Sequence, residues 1–100
     1  MNTEKWMVIP ADHPSLAGHF PDNPIVPGVV LLDEVIQALS DWRPDAQAVG
    51  MPVVKFLAPL RPEQPFSVGL VETGPGRVRF ECIREGGQLL ARGQIALRPE

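Results

Sequence analysis

The sequence predicts an α+β fold, an antiparallel β-sheet wrapped around one central buried α-helix. Three observations point to it. One helical stretch, "GVVLLDEVIQAL" at 28–39, carries apolar residues all round its cylinder, the mark of a helix enclosed by other elements. Four β-rich runs follow it, separated by Pro, Gly or Gly-Gly. A loop dense in proline divides the helix from a short strand-like run near the N-terminus. With 100 residues the chain is expected to form a single domain over 1–100.

In chain order, "WMVI" at 6–9 reads as a strand ended by Pro10. Residues 11–27 read as loop, because their prolines, a glycine and several polar residues suit neither a helix interior nor a central strand. From Gly28 to Leu39 the length and the tail "DEVIQAL" favour helix over strand, although "VVLL" alone is ambiguous. "SDWRPDAQ" closes the helix, with Pro44 as the stop signal. The runs "AVGMPVVKFLAPL", "PFSVGLVET", "RVRFECIRE" and "QLLARGQIAL" are the four later strands. "VETGPGRV" and "REGGQL" are tight-turn signals that join three of them as hairpins. In "RVRFECI", Val78, Phe80 and Cys82 alternate with Arg77, Arg79 and Glu81, so one face meets a core and the other meets water. A sheet can cover only one side of such a helix, and a chain this small buries a modest share of its surface. A second subunit is the expected cover for the other side.

Composition removes several function classes. The chain is 44% hydrophobic and 21% charged, with a net charge of −3, which offers no concentrated basic face for nucleic acid. No apolar run has the length of a membrane span, and "MNTEKWMVIP" lacks the order of a signal peptide. The single cysteine, Cys82, excludes an internal disulfide framework and a CxxC metal site. A cytoplasmic location and no metal or cofactor are the expectations.

The chemistry concentrates in "AGHFPDNPIVPGVVLLDEVIQAL" at 17–39. Beside Gly28 stands no Ser, Thr, Asp or Asn to cap the helix, and Pro27 has no N–H. The first turn thus leaves backbone donors unpartnered at the positive end of the helix dipole, an arrangement suited to an oxyanion. Asp33 lies among Val29, Val30, Leu32 and Ile36, with Gln37 four residues on. A carboxyl enclosed by such neighbours resists ionisation and is able to donate a proton near neutral pH. By itself the pattern favours the simpler reading, in which Asp33 or Glu34 faces water at the one exposed edge of the helix. His19 stands in a Gly-Pro loop, where a structural hydrogen-bonding role and a catalytic role both fit; nothing lifts His13 above a structural role. A neutral imidazole, a protonated carboxyl and a helix end together suit proton abstraction beside a carbonyl with loss of a β-leaving group.

The string "GHFPDNPIVPGVVLLDEVIQ" closely resembles the signature of the β-hydroxyacyl-[acyl carrier protein] dehydratases of the hotdog-fold superfamily. His19, Phe20, Pro21, Pro24, Pro27 and Gly28 stand at the family's spacing, followed by a carboxylate fourteen residues after the histidine. That spacing selects Asp33 rather than Glu34, and Gln37 matches the family's glutamine. "VVKFLAPLRPEQPFSV" looks like the strand pair that follows the helix. The resemblance implies a hotdog fold, paired as a homodimer or higher oligomer, with each site formed by His19 of one protomer and Asp33 of the other. It implies dehydration of a 3-hydroxyacyl thioester on acyl carrier protein or CoA, in fatty acid, polyene or polyketide-type synthesis. Gly28 would hold the thioester oxygen through its N–H, with Phe20, Pro27, Val29 and Gln37 binding substrate and Val29, Val30 and Phe56 along the acyl chain. Two other readings share the fold: a hotdog thioesterase, and a non-catalytic hotdog subunit binding acyl carrier protein or an active partner, in which case a heterodimer forms. Three features depart from the commonest pattern. Aspartate at the acid position is found in the branch that also isomerises the double bond. The chain is short, which implies a short or open tunnel, and Asp22 replaces a frequent glycine. Acyl carrier proteins are acidic, so a local basic patch is expected; Lys55, Arg61, Arg77, Arg79, Arg84 and Arg92 are available for it.

Overall fold

A computed structural model describes residues 2–16 and 24–99. Strand β1 (Asn2–Met7) is followed by a 3₁₀ turn (Pro14–Leu16), helix α1 (Gly28–Trp42), and strands β2 (Ala48–Phe56), β3 (Phe66–Gly74), β4 (Arg77–Arg84) and β5 (Leu89–Leu97). The five strands form one antiparallel sheet in the order β1-β3-β4-β5-β2. Both tight turns read from the sequence are present, with Gly76, Gly86 and Gly87 at positive φ where the hairpins reverse. The α+β class, the single helix and the four strands after it are as the sequence predicts.

Two expectations need correction. The first strand covers Asn2–Met7 rather than 6–9, because pairing of Asn2 through Met7 with Val71 through Phe66 recruits polar residues onto a sheet edge that β-propensity alone would not choose. Helix α1 runs three residues beyond Leu39, to Trp42, and stops one residue before Pro44, at Arg43, whose N–H closes on the Leu39 carbonyl at 2.7 Å. One side of α1 is left uncovered by its own chain, as expected for a helix that packs on one sheet. Val30, Leu31, Val35, Ala38 and Leu39 are buried, whereas Val29 is 63% exposed and Ile36 38%.

The buried face explains the fold's stability. Side chains at 31, 35, 38 and 39 repeat at helical spacing and meet inward residues of the sheet: Phe66, Val68, Leu70, Val78, Phe80, Cys82, Leu90 and Ile95. Each fully buried Val, Leu or Phe contributes roughly 1.5–3 kcal/mol relative to exposure. Burial also pushes the Cys82 thiol up to about 12, which makes it a packing group rather than a nucleophile. Two ion pairs tie the helix end to the sheet: Lys5 with Asp41 at 2.8 Å, and Arg43 with Glu72 at 2.6 Å, the Arg43 guanidinium also lying 4.5 Å from the Trp42 ring centre. No described helix is long and apolar enough to cross a membrane.

Of the described glycines, Gly93 has the closest neighbours. A Cβ there would sit 2.1 Å from the Val53 carbonyl oxygen and 2.6 Å from the Phe80 ring. Gly93→Ala is expected to cost at least about 2–3 kcal/mol through overpacking, read as a lower denaturant midpoint. Gly50→Ala, whose Cβ would meet nothing within 4 Å, should leave that midpoint nearly unchanged.

Candidate active site

Pro27 takes an extended conformation (φ −60°, ψ 144°) at the N-cap of α1, and no side chain caps the helix. The Val30 N–H reaches the Pro27 carbonyl at 3.0 Å, which leaves the N–H groups of Gly28 and Val29 without intrahelical partners. Beside this end lies an apolar groove of about 620 Å³, lined by residues that include Ile25, Val29, Leu31, Phe56, Leu57 and Pro59. The Phe56 ring rests directly on Gly28: a Cβ at that position would fall 2.7 Å from two of its carbons. A larger residue at 28 would have to displace the Phe56 ring.

Asp33 and Glu34 part company on the helix surface. Asp33 is exposed and shares a stripe with Val29, Ile36 and Gln37, all exposed. Glu34 is half-buried and lies on the side of Lys5, whose pKa its charge helps to raise; the larger cause is the hydrogen bond from Lys5 to Asp41. Gln37 donates to Asp41 at 3.1 Å, and this bond, after that from Lys5, holds the Asp41 carboxyl below its ordinary range. The desolvated setting expected for Asp33 is not created by this chain alone. At its N-terminal end the exposed apolar surface continues through Phe56 and Leu57, 52% and 49% exposed, which line the same groove as Val29.

His19 and Phe20 lie outside the described residues; of the rest of the expected set, Pro27, Gly28 and Val29 stand at the start of α1, and Asp33 and Gln37 lie farther along its exposed side. Val30 faces the core instead of a groove, at 5% exposure. What the structure adds is how the described chain is held on either side of residues 17–23. Before them, the Glu63 N–H donates to the Ile9 carbonyl at 2.8 Å and the Glu63 carboxylate accepts the Ala11 N–H at 2.8 Å. After them, the Val26 N–H donates to the Leu60 carbonyl at 2.8 Å. Both anchors belong to the stretch just past β2, itself tied to the Leu90 carbonyl by the Leu57 and Ala58 N–H groups. Glu63 adopts a left-handed φ of 68° to make its two bonds. Sequence pattern offers little sign of this role, since Glu is not a residue that usually marks left-handed backbone. Among the described residues no group of three or more His, Cys, Asp or Glu side chains is placed to hold a metal.

With this geometry in place, comparisons with known proteins are informative. A family model described as ApeI-like, ApeI dehydratase, matches residues 2–94. The 3-hydroxyacyl-[acyl-carrier-protein] dehydratase FabZ of Magnetococcus marinus is 29% identical over 99 residues, covering 89% of this chain. The chain spans only 63% of that relative's length. Among solved structures, the dehydratase heterocomplex ApeI:P from Xenorhabdus doucetiae superposes with a TM-score of 0.84 at 22% identity, over 96% of this chain and 86% of that one. A 1,4-dihydroxy-2-naphthoyl-CoA thioesterase from Synechocystis superposes with a TM-score of 0.70 at 16% identity, over 97% and 80%. Both likenesses establish the hotdog fold, which dehydratases and thioesterases share.

The Glu63 anchor is open to test. Glu63→Ala removes one hydrogen bond while keeping the left-handed backbone, and should lower stability by about 1 kcal/mol and speed hydrogen exchange at the Ala11 amide. Glu63→Gly should speed that exchange equally but lose less stability, because glycine accepts the positive φ.

Proposed function

Because this chain belongs to the ApeI-like dehydratase family, we propose that it removes water from a 3-hydroxyacyl thioester, giving the trans-2-enoyl thioester. The observation that carries this reading is the position of Asp33. It is the ionisable group of the exposed stripe Val29, Asp33, Ile36 and Gln37, about a turn and a half from an uncapped helix end and one turn along from Val29, which lines an apolar groove. The FabZ relative supports acyl carrier protein as the group that bears the substrate. The thioesterase reading has the shared fold behind it and no residue of the 18–37 signature.

Each chemical step falls to a named group. His19, neutral, takes the proton from the carbon next to the thioester carbonyl. Charge moves onto the thioester oxygen, where the Gly28 N–H and the helix dipole stabilise it. As the carbon–carbon double bond forms, the bond to the β-hydroxyl breaks, and that oxygen leaves as water with the proton of Asp33. The proton on His19 then returns, through solvent, to Asp33. Phe20, Pro27, Val29 and Gln37 border the reacting end, and Phe56 walls the groove that takes the acyl chain. No cofactor is needed for this balance.

Asp33 works as an acid only where it is withdrawn from water, so the site is completed by a second subunit laid over Val29, Asp33 and Ile36. A second copy of this chain is the simplest supplier, with His19 of one protomer facing Asp33 of the other. A different hotdog subunit is the alternative, which the heteromeric assembly of the ApeI:P neighbour favours. A reducing cytoplasm suits the lone buried thiol.

The test is an assay of the purified protein with a 3-hydroxyacyl thioester, followed by absorbance of the conjugated enoyl product. His19→Ala and Asp33→Asn should each lower turnover by about 10²–10⁴-fold. Glu34→Gln should leave most of it. Equal losses from Asp33→Asn and Glu34→Gln would remove Asp33 from its role, and release of free thiol would mark a thioesterase.

A further inference from the structure

We infer that Lys5 on β1 and Asp41 near the end of α1 are positioning residues for the dehydration: together they turn the Gln37 side-chain amide so that its carbonyl oxygen, rather than its NH₂ group, faces Asp33. The inference rests on Asp33 as the acid of the reaction proposed above. Neither Lys5 nor Asp41 lies in the 18–37 signature. Asp41 uses both of its carboxylate oxygens. Oδ2 accepts from the Lys5 ammonium at 2.8 Å, and Oδ1 accepts from the Gln37 Nε2–H at 3.1 Å. Lys5 is itself held in the sheet, where the pairing of β1 with β3 sets it opposite Val68. The direction of the Gln37 amide is thus referred, through Asp41, to a separate element of the fold.

A charged carboxylate has no proton to give, so only the NH₂ end of an amide can bond to it. The hydrogen bond from Lys5, and after it that from Gln37, holds the Asp41 carboxyl below its ordinary range, so Asp41 stays an acceptor at neutral pH. That leaves the carbonyl oxygen as the free end of the Gln37 amide. Gln37 stands four residues after Asp33 and four before Asp41, so both carboxyl groups are its neighbours along one side of α1. An amide oxygen only accepts. Toward Asp33 it favours the protonated acid, which has an O–H to give, over the carboxylate. An NH₂ group in the same place would favour the carboxylate and take Asp33 out of its role as proton donor. One amide, set by two residues distant from the chemistry, decides between these states.

The simpler role for Lys5 and Asp41 is to tie β1 to the helix. Their side chains are 43% and 51% exposed, and an ion pair so open to water contributes little to stability. A pair of this kind is better suited to fixing the direction of a neighbouring amide than to holding the fold. The other charged groups around the relay leave Gln37 to Asp41. Glu34 acts from the helix on Lys5, and Arg43, two residues beyond Asp41, is engaged by Glu72 of β3. In the proposed assembly His19 of the facing subunit is the further titrating group at Asp33. Once that subunit covers the stripe, amide and acid meet in a site with little water, where each hydrogen bond counts for more.

The decisive experiment reverses the pair. In Lys5→Asp/Asp41→Lys the ion pair re-forms, but the introduced lysine offers Gln37 only donors and turns its amide end for end. Followed by carboxyl-carbon NMR in the assembled protein, Asp33 should lose its proton at a pH lower by at least about half a unit than in the wild type. With a 3-hydroxyacyl thioester, kcat should fall at least about tenfold while KM holds within about twofold, and the alkaline limb of the kcat profile should move down with the Asp33 titration. Lys5→Arg keeps the donor to Asp41 and should retain most of the turnover. Melting temperatures close to that of the wild type exclude unfolding as the cause. In a Gln37→Met background, reversing the pair should move neither the titration nor kcat, which excludes a direct effect of the exchanged charges. Full kcat in the reversed pair, an unmoved Asp33 titration, or a shift that persists undiminished without Gln37 would each overturn the positioning role. If the wild type dehydrates no 3-hydroxyacyl thioester, the proposed reaction falls, while the Asp33 titration still decides whether Lys5 and Asp41 set the amide.

Discussion

The packing of α1 against a single sheet is the constraint on which everything else depends. A helix has two sides and one sheet covers one of them. The residues that meet the sheet, Val30, Leu31, Val35, Ala38 and Leu39, form a conventional core. Those that do not, Val29, Asp33, Ile36 and Gln37, leave a carboxylate in apolar company on an exposed surface. An isolated subunit gains nothing from that stripe. Covered by a second subunit, it provides both the hydrophobic contact that joins the subunits and the desolvated acid that the proposed dehydration requires.

The sheet positions the remaining parts. At its β2 edge the strand accommodates Pro52 within irregular pairing to β5, with register shifts between Ala48 and Val53, as expected of proline in a strand with a free side. The same strand places Phe56 over Gly28. The stretch that follows it grips the chain on either side of the His19 segment through Leu60 and Glu63. The helix N-terminus, the apolar groove beside it and the chain at Ile9–Ala11 and Val26 are thus all held from β2 and the stretch that follows it.

Much of this is legible from the residues. Alternation in "RVRFECI", the glycine turns and the helix pattern predict the fold, because they reflect local geometry and burial. The resemblance of "GHFPDNPIVPGVVLLDEVIQ" to the dehydratase signature is what selects Asp33 over Glu34. What escapes is what depends on partners distant in sequence. An all-round apolar helix looks the same whether one chain or two enclose it, so the exposure of Val29 and Ile36 is invisible in the string. The left-handed Glu63 and the seat of Phe56 on Gly28 each need the strand register. Asn2 through Lys5 read as polar and become strand only because β3 offers them a partner.

The central claim is that Asp33 functions only under a second subunit. Mixing His19→Ala with Asp33→Asn, under conditions in which subunits exchange, tests it most directly. If two copies share each site, half of the dimers are mixed and each holds one intact pair, so about a quarter of wild-type dehydratase activity should return. No recovery after demonstrated exchange would place both groups in one chain's site and contradict the account.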